Sequence, residues 1–388
     1  MAKRIALLGS TGSIGRQTLE VIENLGKGYR VVALTAGSNS RELEQQVRRF
    51  RPGLAVLSNI EAAAALERGL YDLDCRVEAG PEGQLLAAGW PEADLVVVAL
   101  VGFSGFFPTL AALEAGKIVA LANKEALVVG GELLARKGFL QRGQILPLDS
   151  EHSAIWQCLG GRSTDQVRRI WLTASGGPFL HQDAEHLSRV TPEDALAHPT
   201  WKMGPKISVD SATMMNKGLE VIEAHWLFGV PLEQISVAIH PQSIVHSAVE
   251  FIDGTMMAQL GPPDMRLPIQ YALSHPGRKA TPWPRLDLFA QELTFTAPDR
   301  EKFPCLELAY RALQAGGTMP ACLNAANEVA VEQFLAGNLA FTDIPRLIAG
   351  VMAEHSVIQQ PEAPALEQAD QWARLKAEEL LEQLADRS

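Results

Sequence analysis

Apolar positions along this chain follow two rhythms. In the first 150 residues, short apolar runs alternate with longer stretches that repeat every three to four residues. The runs are Ile5–Leu8, Val31–Thr35, Leu54–Leu57, Leu95–Val101, Ile118–Leu121 and Ile145–Leu148. They are rich in Val, Ile and Leu and lack a period of two, as strands covered on both faces do. Between them Ile14–Leu25, Ser40–Phe50 and Glu125–Gly138 carry helical spacing. This alternation predicts βαβ units and a doubly wound, parallel, Rossmann-like α/β sheet over residues 1–150.

The rhythm changes after Asp149. Residues 151–276 mix helical and strand-like stretches, with Asp253-Gly254 as a hairpin signal inside Phe251–Thr255. They predict a central α+β domain. Residues 277–303 hold Pro282, Pro284 and Pro298 with little periodicity and read as a linker. Leu306–Leu313, Ala321–Leu335, Ile344–Met352 and Leu366–Leu384 have helical spacing, so residues 304–388 predict a C-terminal helical bundle.

Composition narrows the function classes. Of 388 residues, 47% are hydrophobic and 20% charged, a globular balance. The net charge of −11 argues against a nucleic-acid partner, because a phosphate backbone needs a basic face. Four scattered cysteines form no CxxC pair, which fits reduced thiols in the cytoplasm. No apolar stretch is long enough to cross a bilayer, and none at the N-terminus suits a signal peptide.

Candidate chemistry begins at Gly9-Ser10-Thr11-Gly12-Ser13-Ile14-Gly15, between the first strand and the first helix. A glycine turn leading into a helix N-terminus suits a dinucleotide pyrophosphate. The spacing is G-x-x-G-x-x-G, so the strand–helix context carries the reading. After the second strand, Gly37-Ser38-Asn39-Ser40-Arg41 lacks the acid that NAD binders use, which favours NADPH. The alternative there is a polar turn capped by Ser38 or Ser40.

Asp149-Ser150-Glu151 closes the last strand of the first domain. If the chain stays extended, Asp149 and Glu151 point the same way and suit a hard divalent cation. Otherwise Asp149 or Ser150 caps the following helix. Further on, Asn216 and Glu220 share a helix face beside Lys217, with Ser211 before them. Together they can hold a phosphate and supply a third carboxylate; alternatively they are an i,i+4 surface pair over core methionines. The glycines of Ser175-Gly176-Gly177-Pro178 suit an anion. His198–Gly204 reads either as a lid or as a surface loop.

Several segments together resemble the 1-deoxy-D-xylulose 5-phosphate reductoisomerase family. They are GSTGSIG (9–15), LANKEAL (121–127), LPLDSEHSAI (146–155), SGGPF (175–179), HPTWKMGPKISVDSATMMNKGLE (198–220), HPQSIVHS (240–247), GPPDMR (261–266) and LNAANE (323–328). The resemblance implies one Mg²⁺, Mn²⁺ or Co²⁺ held by Asp149, Glu151 and Glu220. It implies a sugar phosphate bound by Ser150, Ser175, His198, Trp201, Ser211, Asn216 and Lys217, with Lys124, Glu151 and Lys217 in catalytic roles. NADPH would meet Thr11, Gly12, Ser13, Ile14, Gly37, Ser38, Asn39, Asn123, Lys124, Glu125, Met203 and Gly204. His246 falls among the active-site surroundings. The turn departs from the family at Ser38, where some members carry a basic residue.

The implied reaction is a metal-assisted retro-aldol/aldol rearrangement followed by hydride transfer, in the non-mevalonate isoprenoid pathway. It turns 1-deoxy-D-xylulose 5-phosphate into 2-C-methyl-D-erythritol 4-phosphate. A homodimer is the family's usual state, and the Asp253-Gly254 hairpin is the candidate edge for it. Two other classes share these features: a metal-dependent NADP dehydrogenase of a hydroxy acid, and a non-enzymatic NADP-sensing module.

Overall fold

A computed structural model describes residues 2–201, 203–290 and 292–385. The chain divides into two compact units that are not contiguous in sequence. The first comprises Met1–Ala126, Gly138–Ser153 and Asp264–Pro284; the second comprises Leu127–Lys137, Ala154–Pro263 and Arg285–Ser388.

The first unit is built on seven strands: β1 Lys3–Leu8, β2 Tyr29–Ala36, β3 Leu54–Leu57, β4 Arg76–Ala79, β5 Leu95–Val98, β6 Ile118–Leu121 and β7 Ile145–Pro147. Their order is β4-β3-β2-β1-β5-β6-β7, and every pairing is parallel. Helices Ser13–Leu25, Ser40–Phe50 and Phe106–Glu114 are among the crossovers. The apolar runs become strands because helices cover both faces: Ile5 to Leu8 and Val96 to Val98 are all fully buried. The six predicted runs are all strands. The seventh, β4, reads Arg-Val-Glu-Ala and sits half-exposed on the sheet edge. Its charge hides it from a search for apolar runs.

Strand order reverses at β1, between β2 and β5. In such sheets ligands bind beyond the carboxyl ends of the strands at the reversal. Residues 264–284 also pack in this unit, although the linker was expected from 277 onward. Helix Arg266–Ser274 lies against helix Ser13–Leu25. Arg266 binds Asp264 through both of its ends and Glu20 at 2.7 Å, stacks over Trp283 at 5.0 Å, and Trp283 Nε1 donates to Glu20.

The second unit has a four-stranded sheet of β8 Val167–Ala174, β9 Ile235–Ile239, β10 Val245–Phe251 and β11 Met256–Leu260. The order is β11-β10-β8-β9, with β8 and β9 parallel and the other pairings antiparallel. The β10–β11 turn is the predicted Asp253-Gly254 hairpin, with Gly254 at φ 84°. The predicted helical bundle is Pro304–Ala315, Met319–Leu335, Ile344–Glu354 and Ala363–Ala385. Helix Met215–Phe228 packs on Pro304–Ala315 at Gly218, where a Cβ would lie 2.5 Å from that of Ala309. Only glycine lets these two helices approach so closely.

Candidate active site

The glycine loop follows β1 and opens helix Ser13–Leu25. Gly9 has φ 86°, and a Cβ there would come within 2.5 Å of the Ala99 carbonyl oxygen after β5. A Cβ on Gly15 would collide with the Gly9 carbonyl. The loop is therefore drawn tightly across the sheet reversal. Gly12, the cap position, supplies no side chain to the first-turn N–H groups, so these remain available to an anion. Thr11 and Ile14 are half-buried, and Gly12 and Ser13 are exposed. Buried Ser10 donates to Gln46 Oε1 at 2.6 Å and its carbonyl accepts from Gln46 Nε2 at 3.1 Å, which fixes the loop. Sequence reading missed this pair, because their 36-residue separation leaves no local signal.

After β2, Gly37, Ser38 and Asn39 are exposed. The helix cap is Asn39, whose side chain accepts from Glu42 N at 3.1 Å; neither Ser38 nor Ser40 takes that role. Asn123, after β6, is buried and its amide is committed. It donates to the carbonyls of Leu100 and Gly102 and to Glu125 Oε2, while Oδ1 accepts from Ala126 N. It thus ties the loop after β5 to the start of helix Glu125–Arg136.

Lys124 follows directly. It is 6% exposed, and its Nζ lies 2.6 Å from Asp149 Oδ2. The chain does not stay extended through Glu151. Helix Ser150–Leu159 starts at once, and the Asp149 carbonyl accepts Ser153 N at 2.8 Å. The capping reading of Asp149 is therefore right for the backbone. Extension is unnecessary, however, because the cap position and the second helical residue share one rim of the helix. Asp149 and Glu151 carry carboxylate oxygens within 4.8 Å of each other there. Ser150 Oγ donates to Glu151 Oε2 at 2.6 Å. His152 Nδ1, fully buried, lies 3.8 Å from Asp149 Oδ2, a neighbour that sequence reading did not single out.

In the second unit, the stretch 205–220 is two helices rather than one. Pro205–Ala212 ends at Thr213, Met214 is left-handed at φ 63°, and Met215–Phe228 follows. Thr213 Oγ1 donates to the Asp210 carbonyl at 3.2 Å and accepts from Met215 N at 3.3 Å, so one hydroxyl serves both helix ends. Asn216 Nδ2 donates to Glu220 Oε1 at 2.6 Å, and Lys217 forms an ion pair with Glu220. Lys217 and Glu220 are 4% and 1% exposed, which excludes a surface pair.

The Ser175–Pro178 loop lies against this helix junction. Gly176 and Gly177 have φ of 86° and 71°, and a Cβ on Gly177 would sit 2.7 Å from the Ser211 carbonyl oxygen. Only glycine lets this loop approach the Ser211 backbone so closely. His198 Nε2 lies 3.0 Å from Ser175 Oγ, and Nδ1 accepts from Thr200 N and Trp201 N at 3.1 and 2.9 Å. Burial lowers the His198 pKa. The Trp201 ring lies 6.2 Å from that of His246. Met203 is half-buried, Gly204 caps helix Pro205–Ala212, and Lys202 falls outside the described residues. Buried Asp210, which sequence reading passed over, takes Lys206 at 2.8 Å and Asn327 Nδ2 at 2.9 Å.

The chain matches known proteins along nearly its whole length. Residues 5–131 match the family model of 1-deoxy-D-xylulose 5-phosphate reductoisomerase, and residues 145–228 match that of its C-terminal domain. Residues 260–376 match a further DXP reductoisomerase C-terminal domain. The 1-deoxy-D-xylulose 5-phosphate reductoisomerase of Pelotomaculum thermopropionicum is 55% identical over 96% of this chain and 97% of its own. That of Heliobacterium modesticaldum is 54% identical over 98% and 97%. Among solved structures, the Zymomonas mobilis enzyme in complex with NADPH superposes with a TM-score of 0.92 at 41% identity, covering 98% of this chain and all of that one. A DOX-P reductoisomerase in complex with NADPH, fosmidomycin and magnesium gives 0.94 at 40%, covering 99% of each. With a parallel sheet whose reversal lies at a glycine loop, and with these matches, the chain belongs to the 1-deoxy-D-xylulose 5-phosphate reductoisomerase family.

Proposed function

We propose that this chain converts 1-deoxy-D-xylulose 5-phosphate to 2-C-methyl-D-erythritol 4-phosphate with NADPH and one divalent cation. The observation that carries the reading is the buried Lys217–Glu220 pair, joined by Asn216, at a glycine-gated helix junction. A buried ammonium and carboxylate are costly to keep, and replacing such a pair by apolar residues often stabilises a protein. Their presence beside Ser175 and Ser211 fits a site for an anion and a cation.

Asp149, Glu151 and Glu220 would hold the cation. Their donor set is all carboxylate oxygen, which suits Mg²⁺ or Mn²⁺, and the close oxygens of Asp149 and Glu151 fit a shared ion. The uncapped first turn after the glycine loop fits the NADPH pyrophosphate. When bound, the cation supplies Lewis-acid stabilisation of substrate oxygens and NADPH supplies the hydride.

The protein's own groups then position and retain. Ser175, Ser211, Asn216 and Lys217 hold the phosphate, so that the phosphate-bearing fragment stays in place between cleavage of one carbon–carbon bond and formation of the next. Lys124 and Ser150 sit beside the acids and would contact substrate hydroxyls. His198 and Trp201 would exclude water by closing over the substrate. Met203 and Gly204 would border the nicotinamide.

We place this enzyme in the cytoplasm: all four cysteines are free, and no described helix is long and apolar enough to cross a membrane. It would act as a homodimer through β11. The test is Glu220→Gln, with NADPH oxidation followed on 1-deoxy-D-xylulose 5-phosphate. Turnover should fall at least about a thousand-fold while NADPH affinity stays within about two-fold. Full turnover by this variant sinks the cation assignment; a wild type inert on this substrate sinks the reading as a whole.

A further inference from the structure

In doubly wound dinucleotide folds, the turn after the second strand meets the adenosine ribose. The turn itself has no acid, but the first turn of the following helix carries one, Glu42, which unneutralised would repel a 2′-phosphate. Its carboxylate is held from two directions. Asn39 Nδ2 donates to Oε2 at 2.9 Å. Arg16, one residue past the glycine loop, donates through Nε to Oε1 at 2.5 Å and through Nη2 to Oε2 at 2.8 Å. This two-point grip neutralises Glu42 and commits both Arg16 and Asn39.

Arg41 stands immediately before Glu42, in the first turn of helix Ser40–Phe50. It is exposed, and among the described residues its guanidinium makes no hydrogen bond or ion pair. The neighbouring arginines Arg48 and Arg49 are both paired, to Glu44 and Asp72 and to Glu23. Position 38 is a serine, which has no charge to offer. The uncommitted cation at the ribose end of β2 is therefore Arg41.

We infer that Arg41 is the residue by which this chain distinguishes NADPH from NADH, its guanidinium donating to the 2′-phosphate while Arg16 and Asn39 keep Glu42 from opposing it. A planar guanidinium suits a phosphate through paired N–H donors. The inference deepens the proposed function and rests on it for the identity of the cofactor.

The experiment measures binding, not turnover. Dissociation constants for NADPH and NADH are obtained from dinucleotide fluorescence with the full chain and no substrate, for wild type, Arg41→Ala and Arg41→Lys. Arg41→Ala should weaken NADPH by about ten-fold or more and leave NADH within about two-fold. Arg41→Lys should recover part of the loss, because charge remains and the fork does not. Unchanged NADPH affinity in Arg41→Ala, or an equal loss for both dinucleotides, overturns the inference alone. A wild type that binds neither dinucleotide overturns the cofactor reading and this inference with it.

Discussion

His198 Nδ1 accepts two backbone N–H groups, so in the neutral ring the proton belongs on Nε2, directed at Ser175 Oγ. Ser175 Oγ also accepts from Gly177 N at 3.2 Å, so its own hydroxyl proton is left to donate. Burial lowers the His198 pKa because the charged ring is the form that loses hydration. The folded pKa thus lies below the unfolded value near 6.5. The stability this ring contributes is complete above that value and is lost as pH falls through the folded pKa. Protonation at Nδ1 would break both backbone contacts of the 198–201 segment. The KM for the sugar phosphate should therefore rise on the acid side with less change in kcat. The substrate phosphate titrates in the same range, so the informative comparison is with His198→Asn. Its amide oxygen can accept in place of Nδ1, yet it does not titrate. A flatter KM–pH profile for this variant is expected; a profile as steep as that of wild type refutes the mechanism.

Between elements, the same economy appears where helix Met319–Leu335 meets helix Pro205–Ala212. Asn327 donates to Asp210, and Asp210 also holds Lys206 one turn earlier. Asp210 and Asn327 are both almost fully buried, and Ser211 is the next residue in the chain. Asn327→Ala should cost roughly 1.5–3 kcal/mol, as for a hydrogen bond to a buried charged group. It should also raise the KM for substrate with kcat little changed, since Ser211 is positioned through Asp210. Thermal unfolding and steady-state kinetics read the two effects separately; loss of stability with KM untouched would confine Asn327 to the fold. This contact shows what a sequence hides. Six of the seven strands of the first sheet were legible because each is an apolar run that must be covered on both faces; the charged edge strand β4 was not. The Asn216–Lys217–Glu220 face was legible because helical spacing places those residues together. The break at Met214 was not, because apolar spacing runs on through it and the left-handed residue is set by tertiary packing and by Thr213. The return of residues 264–284 to the first unit was equally hidden. It depends on Arg266 meeting Glu20 across 246 residues, and local composition there signals only a turn and prolines. Lys124 and Asp149 were each legible as strand-end residues; their 2.6 Å contact follows from β6 and β7 being neighbours, which only the sheet order decides.

The whole molecule carries a net charge of −11, yet its proposed ligands, a sugar phosphate and NADPH, are both anionic. Local placement would resolve this: on that proposal a few placed donors, Arg41, Lys217 and the first turn of helix Ser13–Leu25, take the anions, and bulk charge matters chiefly for solubility. The remaining question at this scale is the edge strand β11. It pairs with β10 on one side, and among the described residues no strand covers its other side. A soluble chain normally protects such an edge with charge, proline or a bulge. Here Met256, Met257 and Leu260 are 55%, 38% and 36% exposed, and Ile252 in the hairpin turn is 69% exposed. An unprotected, apolar edge is stable in solution when a second copy pairs with it across a two-fold axis. Light scattering should therefore give about twice the 42.0 kDa chain mass for wild type. The pair Met256→Lys and Met257→Lys puts two like charges on this edge in each copy and should shift the protein to the single-chain mass. The edge strand belongs to the second unit, and the glycine loop and Arg41 to the first, so NADPH affinity should survive the change. A double variant that keeps the wild-type mass would mean that β11 is not the pairing edge, and its exposed methionines would then need another explanation.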